Sequence, residues 1–350
     1  MPLSSTKRAL IAAIIIVCVL AAAAAIALHR FHRELQLRPV AVFNFPTKTP
    51  DILTLLPANA PAIAYADVTA LRNLPDLPVN AALGLAQSDP HADREYRAFV
   101  RDTGFDYTRD LDKVAVAYWP ENVSATRGGI EQNRALSIAD GRFNQQKITS
   151  YALRTGKAVK RNAQSMYLVP GNPPVAFEFL SSSRIALASG PNADVLLPGS
   201  NKSVSSARDP AMQELVHRVS GAPIFAVVRT DAIPSSFYSG LKNQAQLAEI
   251  VRSVKDVSLA GAPLGNDLQI ALDAECDSTR SALGLTVLLE TSRMLGSMAL
   301  TDPKIRNDLT KEQAEFLATV LREAKVTHDG AWVRINFSVT PQMMQLATSR

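Results

Sequence analysis

The sequence predicts an α+β protein in which an N-terminal transmembrane helix precedes two units of antiparallel sheet covered by helices. Three observations lead to this prediction. Twenty uncharged residues fill positions 9–28, apolar and polar residues alternate in several later segments, and helix-like segments lie between those strands. An antiparallel sheet that buries one face shows such alternation, and a ferredoxin-like arrangement in each unit is the finer expectation.

The N-terminal uncharged segment has the length of a membrane-spanning helix, since a helix crosses the hydrocarbon core in roughly 20 residues. Lys7 and Arg8 precede the segment, and a basic cluster from His29 to Arg33 follows it. A cleaved secretory signal is the alternative, because Ala25-Ile26-Ala27 is similar to a cleavage site. The run is longer than the about 7–15 residues usual in such signals, which favours an uncleaved anchor.

The charges that flank the anchor are nearly balanced and do not by themselves set its orientation. Short basic N-termini usually stay in the cytoplasm. Residues 1–8 are therefore predicted to be cytoplasmic, residues 9–28 to span a bacterial inner membrane, and the large C-terminal domain to lie in the periplasm. Residues 29–51 form a stem in which Pro39, Pro46 and Pro50 favour extended chain.

The remaining residues are too many for one typical core and suit two units. The stretch from Gly199 to Arg208 is the most linker-like part of the body. Two similar segments, 59–68 and 221–231, each place a proline turn before a short apolar strand. These observations predict a first α+β unit at 52–198, a linker at 199–208, a second α+β unit at 209–345 and a tail at 346–350.

Helix caps and residue periodicity predict the elements of both units in order. In the first unit we expect a helix at 92–100 that ends at Gly104, strands at 114–119 and 136–139, a helix between its cap Asn144 and its end at Gly156, and a meander of strands at 166–169, 175–180 and 185–188. In the second unit we expect a helix that begins at Pro210, a strand at 224–229, a helix near 241–254, a strand pair ending at 268–276, a long apolar helix at 279–298, a helix after the capping box Thr310–Gln313, and a last strand at 333–339.

The charge distribution disfavours nucleic acid as a partner. Residues 39–350 carry a formal net charge of only +1, and aromatic residues make up 6% of the chain. One stretch, 141–177, holds six basic residues and no acidic one. A solvated helix face and strand edge is the simpler interpretation, and a patch for anionic lipid or an envelope partner is the alternative. The six residues are Arg142, Lys147, Arg154, Lys157, Lys160 and Arg161.

The search for catalytic motifs identifies no catalytic residue. Ser239 and Lys242 have the S-x-x-K spacing of serine acyl-transfer enzymes, but the accompanying S-D-N and K-T-G motifs are absent from the sequence. His328-Asp329-Gly330 is typical of a hairpin turn rather than of a metal site. The chain is therefore predicted not to be an enzyme, and a serine acyl-transfer enzyme is the distant alternative.

No cofactor-binding or metal-binding residue is predicted either. Asp106, Asp110 and Asp112 lack the glycine and glutamate of an EF-hand loop, so a loop that leads into a strand is the expectation there. Cys276 alternates with polar residues in its strand, which predicts a buried, unreactive thiol. Cys18 lies within the apolar anchor and is predicted to be a membrane-buried side chain.

Four methionines near the C-terminal helices offer the remaining indication of binding. These are Met294, Met298, Met343 and Met344, and flexible thioether side chains suit apolar grooves. Core packing is the simpler expectation for them. The leading hypothesis is an exported binding or scaffold module, and a lipid or hydrophobic-ligand carrier with an apolar cavity near these methionines is the alternative.

The start of the body resembles a family of uncharacterised bacterial membrane-anchored exported proteins. The segment from Leu55 to Val68, followed by Gly104-Phe105-Asp106 and Leu111–Val114, is similar to their "LPADAP…YVD"-type opening strand. Asn59 stands where that pattern has aspartate. The resemblance covers residues 52–190 and implies an anchored envelope domain of unknown role. It assigns no functional residue.

Overall fold

The computed structural model describes eight ranges of the chain: 49–72, 90–119, 134–161, 164–198, 210–230, 245–265, 267–302 and 311–340. These ranges divide into two compact units. The N-terminal unit holds the described residues up to 230, and the C-terminal unit holds those from 245 to 340. The predicted linker at 199–208 lies outside the described residues, so that boundary stays a prediction.

The elements of the N-terminal unit follow a 3-10 helix at Asp51–Leu55. In chain order they are β1 (Ala62–Asp67), α1 (Val68–Arg72), α2 (Pro90–Thr103), α3 (Tyr107–Asp110), β2 (Leu111–Trp119), β3 (Arg134–Gly141), α4 (Gln145–Ala152), β4 (Lys157–Arg161), β5 (Gln164–Val169), β6 (Val175–Phe179), β7 (Arg184–Ser189), α5 (Ala193–Leu196), α6 (Pro210–Val219) and β8 (Ile224–Arg229). Its strand order is β8-β1-β2-β3-β7-β6-β5-β4.

The C-terminal unit contains four strands and three helices in its described residues. In chain order they are α7 (Ala245–Arg252), β9 (Val254–Leu264), β10 (Asp267–Cys276), α8 (Thr279–Ala299), α9 (Lys311–Glu323), β11 (Lys325–Asp329) and β12 (Trp332–Val339). Its strand order is β11-β12-β10-β9.

The predicted fold class is wrong in its arrangement. The eight strands of the N-terminal unit follow one antiparallel order that includes β8, so the strands are not divided at residues 199–208 into two ferredoxin-like sheets. Strand β8, which we expected in the second sheet, pairs instead with β1. The sequence shows where strands form, but the pairing of strands so distant along the chain is set by the tertiary fold.

The pairing of β1 with β8 explains why the two segments are similar. They lie side by side, with Tyr65 opposite Phe225 and their ring centroids 5.1 Å apart. At either end the arrangement repeats: the Asp67 N–H donates to the Pro223 carbonyl at 2.7 Å, and the Arg229 N–H donates to the Pro61 carbonyl at 2.8 Å. The similarity of the segments therefore reflects two neighbouring strands with equivalent ends.

Several local predictions are confirmed by the described residues. The Asn144 side chain accepts from the Lys147 N–H at 3.0 Å and caps α4. Gly104 adopts φ +77° after the last turn of α2. The turn after Asp329 joins β11 to β12, with Gly330 at φ +55°. These signals act over a few residues, which is why the sequence alone reveals them.

The predicted transmembrane helix is not among the helices that the structure describes. None of the helices in the described ranges is long and apolar enough to cross a membrane. The predicted anchor at 9–28 lies outside those ranges, so the anchor itself stays a prediction.

Candidate functional site

Helix α8 packs one face on the sheet of the C-terminal unit and carries an apolar stripe on the opposite face. Its buried side chains, Leu285, Leu288 and Leu289 among them, join a core cluster with residues of β10, β11 and β12. Four other side chains are exposed, at 42–63% of their surface. We call them the outer stripe: Leu283, Val287, Met294 and Met298.

The outer stripe reverses the usual distribution of side chains on a surface helix. Between Ser281 and Leu300, every residue of the exposed class is apolar. A helix that is apolar all round is normally buried on all sides. With about 100° of rotation per residue, the four side chains fall within an arc of about 60°. Exposed apolar side chains aligned on one face in this way favour an interaction site.

The structure corrects the expectation that the methionines fill the core. Met294 is 52% exposed and Met298 is 63% exposed. Met343 and Met344 lie outside the described residues. Periodicity could not reveal this exposure, because α8 has apolar residues on both its faces and hence no polar face to indicate the outside.

The basic stretch 142–161 is partly neutralised by aspartates. Arg142 pairs with Asp110, Arg154 with Asp102, and Arg161 with Asp194. The lysines Lys147, Lys157 and Lys160 are exposed. Within the ranges that the structure describes, no carboxylate forms an ion pair with them.

Two of these lysines, Lys157 and Lys160, lie on β4 at the end of the strand order. Charged lysines on an edge strand oppose unwanted pairing with other chains. This position favours the solvated strand edge that we expected over a dedicated anion site.

The three aspartates of the possible calcium loop serve the protein itself. Asp106 caps α3 by accepting from the Thr108 N–H at 2.9 Å, and Asp112 accepts from the Thr69 hydroxyl at 3.3 Å. Asp110 is 6% exposed and pairs with Arg109 at 2.7 Å. Across the described part of the chain, no group of three or more metal-ligating side chains is present.

Two of the remaining candidate residues, Cys276 and His328, lie in the described part of the chain. Cys276 is buried, as expected, and burial raises the pKa of its thiol to about 11, so the reactive thiolate is scarce at neutral pH. His328 lies on β11 beside the turn, as the hairpin hypothesis predicted. Ser239 and Lys242 lie outside the described residues.

Two clefts of the N-terminal unit have volumes of about 620 and 420 Å³. Charged side chains, Asp112, Lys113 and Asp140 among them, line the larger cleft. Arg184, also in its wall, is held by Asp140 at 2.5 Å and by Asp51 at 3.0 Å. Neither cleft has a methionine in its wall, so neither matches the apolar cavity that a carrier would need.

Comparisons with known proteins give no assignment of family or function. No family model and no curated protein matches the chain. Among solved structures, crystal form III of TP0453 is 10% identical with a TM-score of 0.46, covering 86% of this chain and 99% of that chain. Crystal form I of TP0453 is 8% identical with a TM-score of 0.44, covering 86% of this chain and 97% of that chain. Likeness at this level carries no argument about function.

Proposed function

We propose that the chain is a single-pass, membrane-anchored envelope protein whose α+β body acts as a binding or scaffold module. The observation that carries this proposal is the outer stripe of α8. Removing apolar surface from water stabilises a complex by about 25 cal/mol per Å². A partner that covered side chains such as Met298 would bind with this free energy in its favour. In this proposal the predicted span at 9–28 holds the body at the inner membrane, and the body faces the periplasm.

The chemistry of the described residues also favours binding over catalysis. Cys276 is buried, and aspartates such as Asp106 accept hydrogen bonds from the protein's own donors. The arginines of the basic stretch form ion pairs with aspartates. The exposed lysines of that stretch remain a proposed secondary contact for an envelope protein or anionic lipid. The resemblance of the opening strand to anchored exported proteins is consistent with the same location.

A fusion after Arg350 of a reporter that is active only outside the cytoplasm tests the proposed location. We expect an active, full-length fusion that stays with the membrane fraction. The matched control lacks residues 1–33 and is expected to be inactive, because it has lost the segment that directs export. An inactive full-length fusion would place the body in the cytoplasm. A shortened, soluble product would instead show that the segment is a cleaved signal.

A further inference from the structure

The outer stripe has a spacing that is symmetric about its own midpoint. Leu283 and Met298 lie equally far from the point between Glu290 and Thr291, and so do Val287 and Met294. When two such helices pair antiparallel about that point, Leu283 faces Met298 of the second copy and Val287 faces Met294 of the second copy. A two-fold dimer requires a surface that is complementary to itself in this way.

We infer that the outer stripe of α8 pairs antiparallel with the outer stripe of a second copy of this chain. The inference rests on the proposed binding function and names the partner of the same surface. The contact runs for about 22 Å along α8, given a rise of about 1.5 Å per residue. Large and flexible methionine side chains then meet smaller Leu and Val side chains at each end.

The charges of α8 are compatible with this pairing. Glu290, next to the midpoint, accepts from Arg293 of its own helix at 2.9 Å, so the centre of the contact carries no net charge. The remaining ionised side chain of the helix is Arg280, beyond the end of the stripe. In the dimer the two Glu290 side chains lie near the two-fold axis, and each keeps its own Arg293 as a counter-charge.

A lipid surface suits the outer stripe less well than a second copy does. Helices that lie in a membrane interface carry Lys and Arg along their polar face, and α8 contains no lysine. Glu290 lies about 20° outside the arc of the stripe, close enough that a helix sunk into a bilayer along this face would bring its carboxylate to the acyl chains. In the dimer the same carboxylate lies at the flank of the contact and keeps its partner Arg293.

The size of the contact sets its expected strength. One helix face buries less than the roughly 800 Å² per partner of a standard interface, so the dimer is expected to be weak in dilute solution. Anchoring both copies in one membrane raises their effective concentration, which compensates for a small interface. The inference therefore applies to the full chain at a membrane.

Disulfide crosslinking between two differently tagged full-length chains in membranes tests the register. One chain carries Val287→Cys and the other carries Met294→Cys, both with Cys18→Ser. In the antiparallel pair, the Cα atoms of residue 287 and of residue 294 in the second copy are about 4–6 Å apart. The Cα atoms of the two copies of residue 287 are separated by about 10 Å along the helix axis. A disulfide needs Cα atoms within about 7 Å.

We expect the mixed 287–294 product to form at least tenfold faster than either homodimeric product. The parent chain, which keeps the buried Cys276, is the control for background oxidation. A chain with Leu264→Cys, at a side chain 60% exposed in the β9–β10 hairpin, is the control for random collision. Circular dichroism confirms that each variant is folded. Equal yields for all pairs, or no mixed product, would overturn the dimer.

Different experimental results would contradict the dimer and the broader binding function. If residue 294 is shielded in membranes yet no mixed product forms, the second copy is the wrong partner and the stripe still binds. A lipid adduct on a photoreactive residue at 294 would identify the bilayer as the occupant and would also overturn the dimer. If residue 294 is fully accessible in membranes, both proposals are wrong.

Discussion

Replacing Gly141 by alanine is expected to lower the free energy of unfolding by about 3 kcal/mol or more. A Cβ atom at this position would lie 2.3 Å from the Asp110 carbonyl oxygen and 3.2 Å from the Leu111 Cα. Both are backbone atoms, so no side chain can rotate away. The same carbonyl accepts from the Arg142 N–H at 2.8 Å, and moving it would break that bond.

Denaturation by urea measures the effect of Gly141→Ala, and Gly104→Ala is its matched control. Gly104 has φ +77°, but a Cβ there would find its nearest neighbour, the Lys147 Nζ, at 4.0 Å. The control therefore isolates backbone strain from steric overlap and is expected to cost about 1 kcal/mol. If the two variants lost equal stability, the close approach between β3 and the start of β2 would be contradicted.

Replacing Asp110 by alanine is expected to cost about 2–3 kcal/mol of stability at neutral pH. Its carboxylate accepts from the Asp106 N–H at 2.9 Å as well as from two arginines. Without it, that half-buried N–H loses its partner. The cost stays below the about 3–5 kcal/mol of a fully buried pair, because Arg109 and Arg142 are more than half exposed and regain water.

The same carboxylate predicts a specific pH dependence. Hydrogen bonds from Arg109 and Asp106, together with the charge of Arg109, lower the pKa of Asp110 from 3.8 to about 2. Because the folded pKa is lower than the unfolded one, the stabilisation is fully present above about pH 4 and is lost as the pH falls towards 2. Each pKa unit corresponds to about 1.4 kcal/mol, so the loss is on the order of 2 kcal/mol.

Urea midpoints measured from pH 7 to pH 2 test this dependence. The wild type is expected to lose stability between pH 4 and 2 by more than Asp110→Ala does. Asp194→Ala is the control, since Asp194 is 40% exposed and its pair with Arg161 at 3.5 Å is expected to contribute less than about 1 kcal/mol. Parallel curves for wild type and Asp110→Ala would show that Asp110 is not the responsible group.

The sequence was sufficient to predict elements that are determined within a few residues. Asn144 as a cap, Gly104 as a helix end and the turn at Gly330 follow from local backbone chemistry. The position of β8 beside β1 was not predictable in this way. It depends on contacts between residues more than 150 positions apart, such as Tyr65 and Phe225.

The candidate site was only partly predictable for similar reasons. The sequence singled out Met294 and Met298, but an apolar residue on an apolar helix carries no sign of its exposure. The aspartates near Asp110 also stood out, yet their role depends on Arg142, which follows 32 positions later and closes onto Asp110. Such long-range partners are visible only in the folded chain.

Whether the outer stripe is covered at the membrane is the question on which the proposed function depends. In a Cys18→Ser background, maleimide labelling of Met294→Cys is compared with that of Leu264→Cys, which is similarly exposed in the isolated chain. We expect residue 294 to react at least fivefold more slowly than residue 264 in isolated membranes, and equally fast after dilution in detergent. Equal labelling in membranes would contradict the account.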